Sequence, residues 1–213
     1  LIQAPLNVQS IIIGPGERLD VLINFSGLVL GEELFLENKI FSGAGSAQGK
    51  QTFNILKFKI SNIVNDNFNP PTTLSHIIPI NTSLVSKFRN FDISNNGMGM
   101  TGNGMQHTIN NKTFDSNRID EVVNANATEI WTFDNSQGTE PHPMHIHGVQ
   151  FQVIQRIGGR NQLIASESGW KDTVLVMPGE IVKVIISFEN LTGKFVFHCH
   201  NLEHEDMRMM VNM

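Results

Sequence analysis

The sequence lacks several features that mark common classes of protein. Its 213 residues include one cysteine, so a disulfide within the chain is excluded. No apolar run approaches the ~20 residues that a membrane-spanning helix needs. The formal net charge is −5 and Lys and Arg are not clustered, so neither a nucleic-acid surface nor an anionic-membrane surface is expected. No long helical pattern appears either.

Short strands are the elements that the sequence does predict. Apolar and polar residues alternate in several segments, which places one face of each strand in a core. Gly, Pro and Asn separate these segments, as turns require. The pattern predicts an antiparallel sandwich or barrel. The alternating segments are residues 18–25, 53–60, 129–134, 149–154 and 181–188.

Two of these strands begin with the same tripeptide. "PGERLDVLINF" and "PGEIVKVIISF" both place a strand after Pro-Gly-Glu, and both are expected to turn the same face inward. They are either two similar hairpins or two copies of one β-domain. The matching positions are Leu19, Val21, Ile23 and Phe25 in the first copy and Val182, Val184, Ile186 and Phe188 in the second.

The position of the two copies suggests how the chain is divided. Only fourteen residues precede the first copy, whereas well over a hundred precede the second. If the copies are equivalent, the first domain lacks its N-terminal part. The polar stretch "NIVNDNFNPPTTLS" carries the only Pro-Pro pair and is the best candidate linker. We therefore expect a partial β-domain before it and a complete one after it.

The C-terminal stretch "FHCHNLEHEDMRMM" concentrates side chains that bind soft metals. In a strand, His198 and His200 would share one face while Cys199 points to the other. His204 and Met209 follow further along the chain. Cysteine, histidine and a more distant methionine belong to the ligand set of a blue copper site, which requires one more histidine.

A second stretch, "EPHPMHIHGVQFQV", offers that histidine. His145 and His147 are two residues apart and share a strand face. His142 precedes them across Pro143, in a turn that leads into the strand, and can diverge from the pair. The simplest assignment gives His142, Cys199, His204 and Met209 to one copper. His145, His147, His198 and His200 are then left for a second metal site.

Other metal sites explain these residues less well. Any one of the histidines could be a buried structural residue, but six of the eight lie in two short windows with the sole cysteine. Zinc favours four tetrahedral ligands, often with several cysteines, and so many ligands exceed what one zinc can take. A cupin-type site needs a Glu shortly after His-x-His, and "HIHGVQFQ" lacks it.

The two motifs resemble those of a known family. "HPMHIHG" and "HCHNLEHEDMRMM" are similar to the C-terminal copper-binding motifs of the multicopper oxidases, especially bacterial three-domain laccases, copper-efflux oxidases and spore-coat laccases. "GWKDTVLVMPGE" and "RIDEVVNANATEIWTFDN" also resemble that family's last domain. The resemblance implies an all-β fold of cupredoxin-like Greek-key barrels. Residues 1–61 would be the C-terminal part of a middle domain, 62–79 a linker, and 80–213 a complete C-terminal domain.

The resemblance also implies a role for each ligand position. Electrons would pass from a type 1 copper through Cys199 to a trinuclear cluster, along the covalent links to its two neighbouring histidines. Type 1 copper would be held by His142, Cys199 and His204 with Met209 as weak axial ligand, type 2 copper by His145, and the type 3 pair by His147, His198 and His200.

Two further expectations follow from the resemblance. The outer edge of His204 is the expected point at which electrons arrive from the substrate. Glu205 matches an acid that bacterial members place near the cluster to supply protons for dioxygen reduction. The alternative is that Glu205 is a solvated carboxylate beside His204.

The loop "NNGMGMTGNGM" is a separate candidate for metal binding. Met98, Met100 and Met105, with His107 nearby, could bind Cu(I), because thioethers suit that ion. The favoured alternative is a Gly/Asn loop whose methionines have no binding role. His76, near the candidate linker, carries no motif and is expected at the surface or as a cap.

The family pattern is incomplete in this chain. The resemblance implies a trinuclear cluster of four histidine pairs, two of them His-x-His pairs from a first domain, and no such pair precedes residue 140. We expect a missing N-terminal domain or a separate chain to supply them, and we expect this chain alone to be inactive. The implied parent enzyme oxidises phenols, aromatic amines or Cu(I) and reduces dioxygen to water. It is expected to be extracytoplasmic or at the cell surface. The alternative function is a non-catalytic copper-binding or structural module.

Overall fold

The computed structural model describes residues 1–43, 47, 49–94 and 107–213, and almost all of its regular structure is β. The described part of the chain contains eleven strands, two single 3-10 turns and one α-helix of five residues. The elements are β1 (Glu33–Asn38), β2 (Phe53–Lys59), β3 (Val85–Asp92), β4 (Thr128–Asn135), β5 (His142–Ile146), β6 (Phe151–Ile157), β7 (Trp170–Lys171), β8 (Thr173–Val176), β9 (Glu180–Ser187), β10 (Val196–Cys199), α1 (Leu202–Asp206) and β11 (Met210–Asn212).

Two sheets form the body of residues 82–213. The five-stranded sheet has the order β3-β4-β9-β6-β7, and the four-stranded sheet has the order β11-β10-β5-β8. Their facing side chains form one core, in which the ring of Phe197 lies 4.6 Å from that of Phe91 and 5.0 Å from that of Trp131. Each fully buried aromatic side chain contributes about 1.5–3 kcal/mol to folding, so this contact holds the two sheets together.

Three of the predicted strands lie in this body. The segments 129–134, 149–154 and 181–188 correspond to β4, β6 and β9. In β9, Val182, Val184 and Ile186 are fully buried, as alternation predicts. One expectation about the sheets is wrong, because β3 and β4 pair in parallel. The long connection between them gives the chain room to cross over and return in the same direction.

The described part of the first sixty residues contains a hairpin and a long stretch without regular structure. β1 and β2 pair antiparallel, and β2 confirms the predicted strand at 53–60. The predicted strand at 18–25 is not formed. Its apolar side chains are exposed rather than turned inward, from 37% for Leu19 to 66% for Leu22. Among the described residues no second sheet covers them, and a strand without a paired neighbour has no ladder of hydrogen bonds to hold it.

Residues 60–81, all of them described, form neither helix nor strand. Part of this stretch is nevertheless held against the sandwich. Gln152 donates through Nε2 to the carbonyl of Ile78 at 2.8 Å and accepts from the amide of Ile80 at 2.9 Å. His76 is exposed, as expected. None of the helices in the described part of the chain has the length and apolar character needed to cross a bilayer.

Candidate metal centre

Two paired strands bring the candidate ligands together. β5 and β10 run antiparallel, with His145 opposite His198 and Met144 opposite Cys199. His142 is the first residue of β5, so the expected turn before the strand is wrong. The side chain of His142 diverges from that of His145 because the two residues are three positions apart, and an odd spacing places side chains on opposite faces of a strand.

On the core side of these strands, two imidazoles converge on the thiol. Cys199 Sγ lies 3.5 Å from His142 Nδ1 and 3.4 Å from His204 Nδ1, and the two nitrogens are 3.1 Å apart. Donors bound to one ion, at about 2.0 Å for nitrogen and 2.3 Å for sulfur with angles of about 100–120°, lie about 3.1–3.7 Å apart. The three separations therefore suit one metal ion in a trigonal His₂Cys arrangement.

The protonation of these groups also suits a metal. Burial raises the pKa of the Cys199 thiol to about 12. Burial and then the neighbouring His107 lower the pKa of His204 to about 4, and burial holds that of His142 well below its usual value. The imidazoles are therefore neutral and free to coordinate, while the thiol needs a bound cation to ionise.

The chain returns to the same site through α1. Met209 follows this short helix, is fully buried, and donates its amide to the carbonyl of His204 at 3.0 Å. Its own carbonyl accepts from the amide of Cys199 at 3.1 Å. These two hydrogen bonds connect the backbone of Met209 to His204 and to Cys199. Met210, in contrast, begins β11 and is only partly buried.

Four imidazoles gather on the other face of the same strands. His147 Nε2 and His198 Nε2 are 3.0 Å apart, and the ring of His145 lies 4.6 Å from that of His147. The ring of His200 lies 5.3 Å from that of His198 and 5.5 Å from that of His145. We call His145, His147, His198 and His200 the histidine cluster. His147 is exposed and His198 is buried, so the cluster opens toward the surface.

Hydrogen bonds set the tautomers of two cluster members. His145 Nδ1 lies 2.9 Å from the carbonyl oxygen of Asp172 and 2.9 Å from Thr173 Oγ1. His198 Nδ1 lies 3.0 Å from the carbonyl oxygen of Cys199. In both cases Nδ1 donates to a carbonyl, which leaves Nε2 as the lone-pair donor toward a metal.

Glu205 lies beside the cluster, as the resemblance implied. Its Oε2 is 3.5 Å from His198 Nδ1, and its side chain is partly exposed. A carboxyl group at this position can exchange protons with solvent on one side and with the cluster on the other. Its role in proton supply stays a prediction.

Two residues near His204 were not predicted to belong to this site. Glu140 Oε2 lies 3.3 Å from His204 Nε2, and the ring of His107 stacks on that of His204 with centroids 3.7 Å apart. His204 is only 7% exposed, so its outer edge is largely covered. Glu140 could have been noted as a carboxylate two residues before His142, but nothing local in the sequence links His107 to His204. The candidate methionines at 98, 100 and 105 lie outside the described residues, so their role stays open.

An all-β sandwich that gathers two histidines around a buried cysteine has the architecture of a cupredoxin-type copper domain. The sequence model of the multicopper oxidase family matches residues 81–213. A laccase from Haloferax volcanii is 34% identical over 96% of this chain and 34% of its own length. A laccase from Bacillus subtilis is 28% identical over 99% of this chain and 43% of its own length.

A solved multicopper oxidase structure is also similar to this chain. The multicopper oxidase McoA from Aquifex aeolicus matches with a TM-score of 0.83 and 30% identity, covering 100% of this chain and 46% of that one. The chain therefore belongs to the multicopper oxidase family, whose cofactor is copper. It spans less than half the length of each of these three relatives.

Proposed function

We propose that this chain is the C-terminal part of a laccase-like oxidase. It would hold type 1 copper through His142, Cys199 and His204, with Met209 as a weaker fourth ligand, and one side of a trinuclear cluster through the histidine cluster. Bound copper would supply one-electron redox chemistry, in which four electrons from phenols, aromatic amines or Cu(I) reduce one dioxygen, with four protons, to two waters. The trigonal spacing of the His₂Cys set supports the first assignment.

One observation carries the proposal. Cys199 presents its thiol to the His₂Cys set, while its two chain neighbours, His198 and His200, belong to the cluster on the opposite face. A single residue thus joins the two groups by a few covalent bonds. A purely structural histidine pair would have no reason to flank a buried thiol in this way.

The remaining residues of the site position groups and protons. The backbone carbonyls of Asp172 and Cys199 hold His145 and His198 with Nε2 available. Glu205 would hold a proton 3.5 Å from His198 Nδ1 and pass protons from solvent toward the cluster. Burial keeps water away from Cys199, which protects a thiolate bound to metal from oxidation.

We propose that a further domain or chain supplies the other cluster ligands. The open side of the cluster at His147 supports this, as does the share of the relatives' length that the chain spans. The exposed apolar side chains of residues 18–25 would lie against the remainder of a middle domain. An extracytoplasmic or cell-surface location, expected from the family resemblance, stays a prediction.

The test combines a spectrum with oxygen uptake. The copper-loaded whole protein should show an intense visible band from Cys199 thiolate to Cu(II), and it should consume oxygen in the presence of a phenol. Cys199→Ser should abolish both. A blue band that persists in this variant would refute the ligand assignment.

A second experiment tests whether the cluster needs ligands from outside residues 1–213. Residues 1–213 alone should show no phenol-dependent oxygen uptake, and adding the rest of the protein should restore it if the pieces dock. Four bound coppers with turnover in residues 1–213 alone would refute the proposal that other ligands are needed. A blue band without oxygen uptake in the whole protein would favour the alternative of a copper-binding module.

A further inference from the structure

The two Pro-Gly-Glu turns have the same conformation, although only the second leads into a strand. Gly16 and Gly179 adopt φ of +79° and +77°. In each turn the amide of the Glu donates at 3.1 Å to the carbonyl three residues earlier. Glu17 Oε2 in turn accepts from the amide of Gly14 at 2.8 Å, and Glu180 Oε2 accepts from that of Met177 at 3.0 Å.

The two turns differ in what lies next to the glycine. A Cβ placed on Gly179 would meet nothing within 4 Å. A Cβ placed on Gly16 would lie 2.4 Å from Cδ2 and 2.7 Å from Cγ of His200. The backbone of the first turn therefore packs directly against a ring of the histidine cluster, at a distance that only glycine allows.

The same turn reaches a second member of the cluster through Asp172. Arg18 donates to both carboxylate oxygens of Asp172, at 2.6 and 2.8 Å, and also to the carbonyl of Gly16 at 2.9 Å. The carbonyl of Asp172 holds His145 Nδ1, and Thr173 Oγ1 donates to Asp172 Oδ1 at 3.1 Å. A bidentate guanidinium–carboxylate pair fixes orientation as well as distance.

A third contact anchors the turn. Glu17 Oε1 lies 2.6 Å from Lys171 Nζ, and both side chains are largely buried. The turn is thus bound to the segment Lys171–Thr173 at two successive residues. Its position relative to the cluster is set by charge pairs rather than by strand pairing.

We propose that the turn Gly14–Arg18 positions the histidine cluster, with Gly16 setting the ring of His200 and Arg18 holding His145 through Asp172. This proposal rests on the proposed function, because it concerns copper binding by these histidines. Gly16 and Arg18 are positioning residues and bind no copper themselves. Groups that orient ligands in this way are worth roughly 10- to 100-fold in metal affinity.

The two turns provide a matched experiment. Gly16→Ala and Gly179→Ala impose the same backbone strain, since both sites have the same positive φ, but only the first would displace a cluster histidine. In the copper-loaded whole protein, Gly16→Ala should bind cluster copper roughly 10- to 100-fold more weakly and change its electron paramagnetic resonance spectrum. The blue band should be retained. Gly179→Ala should leave the cluster copper and its spectrum as in the wild type.

Arg18→Met supplies a second variant that adds no clash. It should also weaken the binding of copper at the histidine cluster. Arg18→Lys keeps the charge and should bind this copper more tightly than Arg18→Met does. Equal cluster copper in Gly16→Ala and Gly179→Ala, or a wild-type value in Arg18→Met, would overturn the inference. A wild-type protein with no copper beyond that at Cys199 would instead overturn the proposed function on which the inference rests.

Discussion

The imidazole of His107 lies flat against that of His204, with ring centroids 3.7 Å apart and planes inclined by 18°. Glu140 Oε2 sits 3.3 Å from the Nε2 atom of the same His204. The proposed copper ligand is thus covered on one face and contacted by a carboxylate at its outer nitrogen. Neither His107 nor Glu140 is a proposed copper ligand, so each would act on the site through its contact with His204.

Replacing Glu140 by Gln should raise the reduction potential of the proposed type 1 copper. A carboxylate beside the outer nitrogen makes His204 a stronger donor and favours Cu(II), so its neutralisation favours Cu(I). We expect a shift on the order of tens of millivolts, given 59 mV for a tenfold change in a one-electron couple. Redox titration of the blue band measures it. Asp206→Asn, an exposed charge removal on α1, is the control, and an equal shift there would show a general charge effect.

Replacing His107 by Ala should expose the ring of His204. If electrons arrive at the outer edge of His204, removing the stacked ring should lower the KM for bulky phenols and leave the blue band unchanged. Steady-state oxygen uptake by the whole protein measures this, with exposed His76→Ala as the control. A raised KM would contradict the prediction and would indicate that the substrate contacts His107 itself.

Met209→Leu should keep the blue colour but raise the reduction potential. A thioether ligand is a weak donor that favours Cu(II), and if Met209 supplies it, leucine removes it at similar volume. Met210→Leu is the natural control, because Met210 lies in β11 and is less buried. A larger shift for Met210→Leu, seen in the same redox titration, would show that the wrong methionine had been assigned.

Glu180 should link folding stability to pH away from the copper site. Burial acts to raise its pKa, but hydrogen bonds from Arg160 and the Met177 amide, with the charges of Arg160 and Arg156, lower it below 4.5. The ionised carboxylate therefore stabilises the fold above pH 4.5, and this stabilisation is lost as pH falls through the lower folded-state pKa.

Glu180→Gln should accordingly lower the free energy of unfolding at pH 7 by about 3 kcal/mol, because a buried arginine loses a partner. Arg156 keeps its contact with Glu167, which limits the loss. Urea unfolding of the metal-free protein at pH 7 and pH 4 checks this, with exposed Glu189→Gln as the control. If the difference between wild type and Glu180→Gln did not shrink at pH 4, the linkage would be disproved.

Local spacing was enough to predict much of the β structure and the grouping of the ligands. β2, β4, β6 and β9 follow from alternation, and the opposite faces of Cys199 and its neighbouring histidines follow from the same period of two. These features depend only on residues close in sequence. The separation of His142 from His145 was also predicted, although through a turn that the structure replaces with an odd spacing along β5.

Contacts between distant residues were decided only by the tertiary structure. The parallel pairing of β3 with β4, the stack of His107 on His204 and the packing of Gly16 on His200 each join segments far apart in the chain. Segment 18–25 carries a strand pattern yet forms no strand, because a strand requires a neighbour to complete its hydrogen bonds. Local spacing therefore accounts for which side chains share a strand face and for the grouping of the candidate copper ligands. Folding decided which faces meet, because register and packing depend on the whole core rather than on any local pattern.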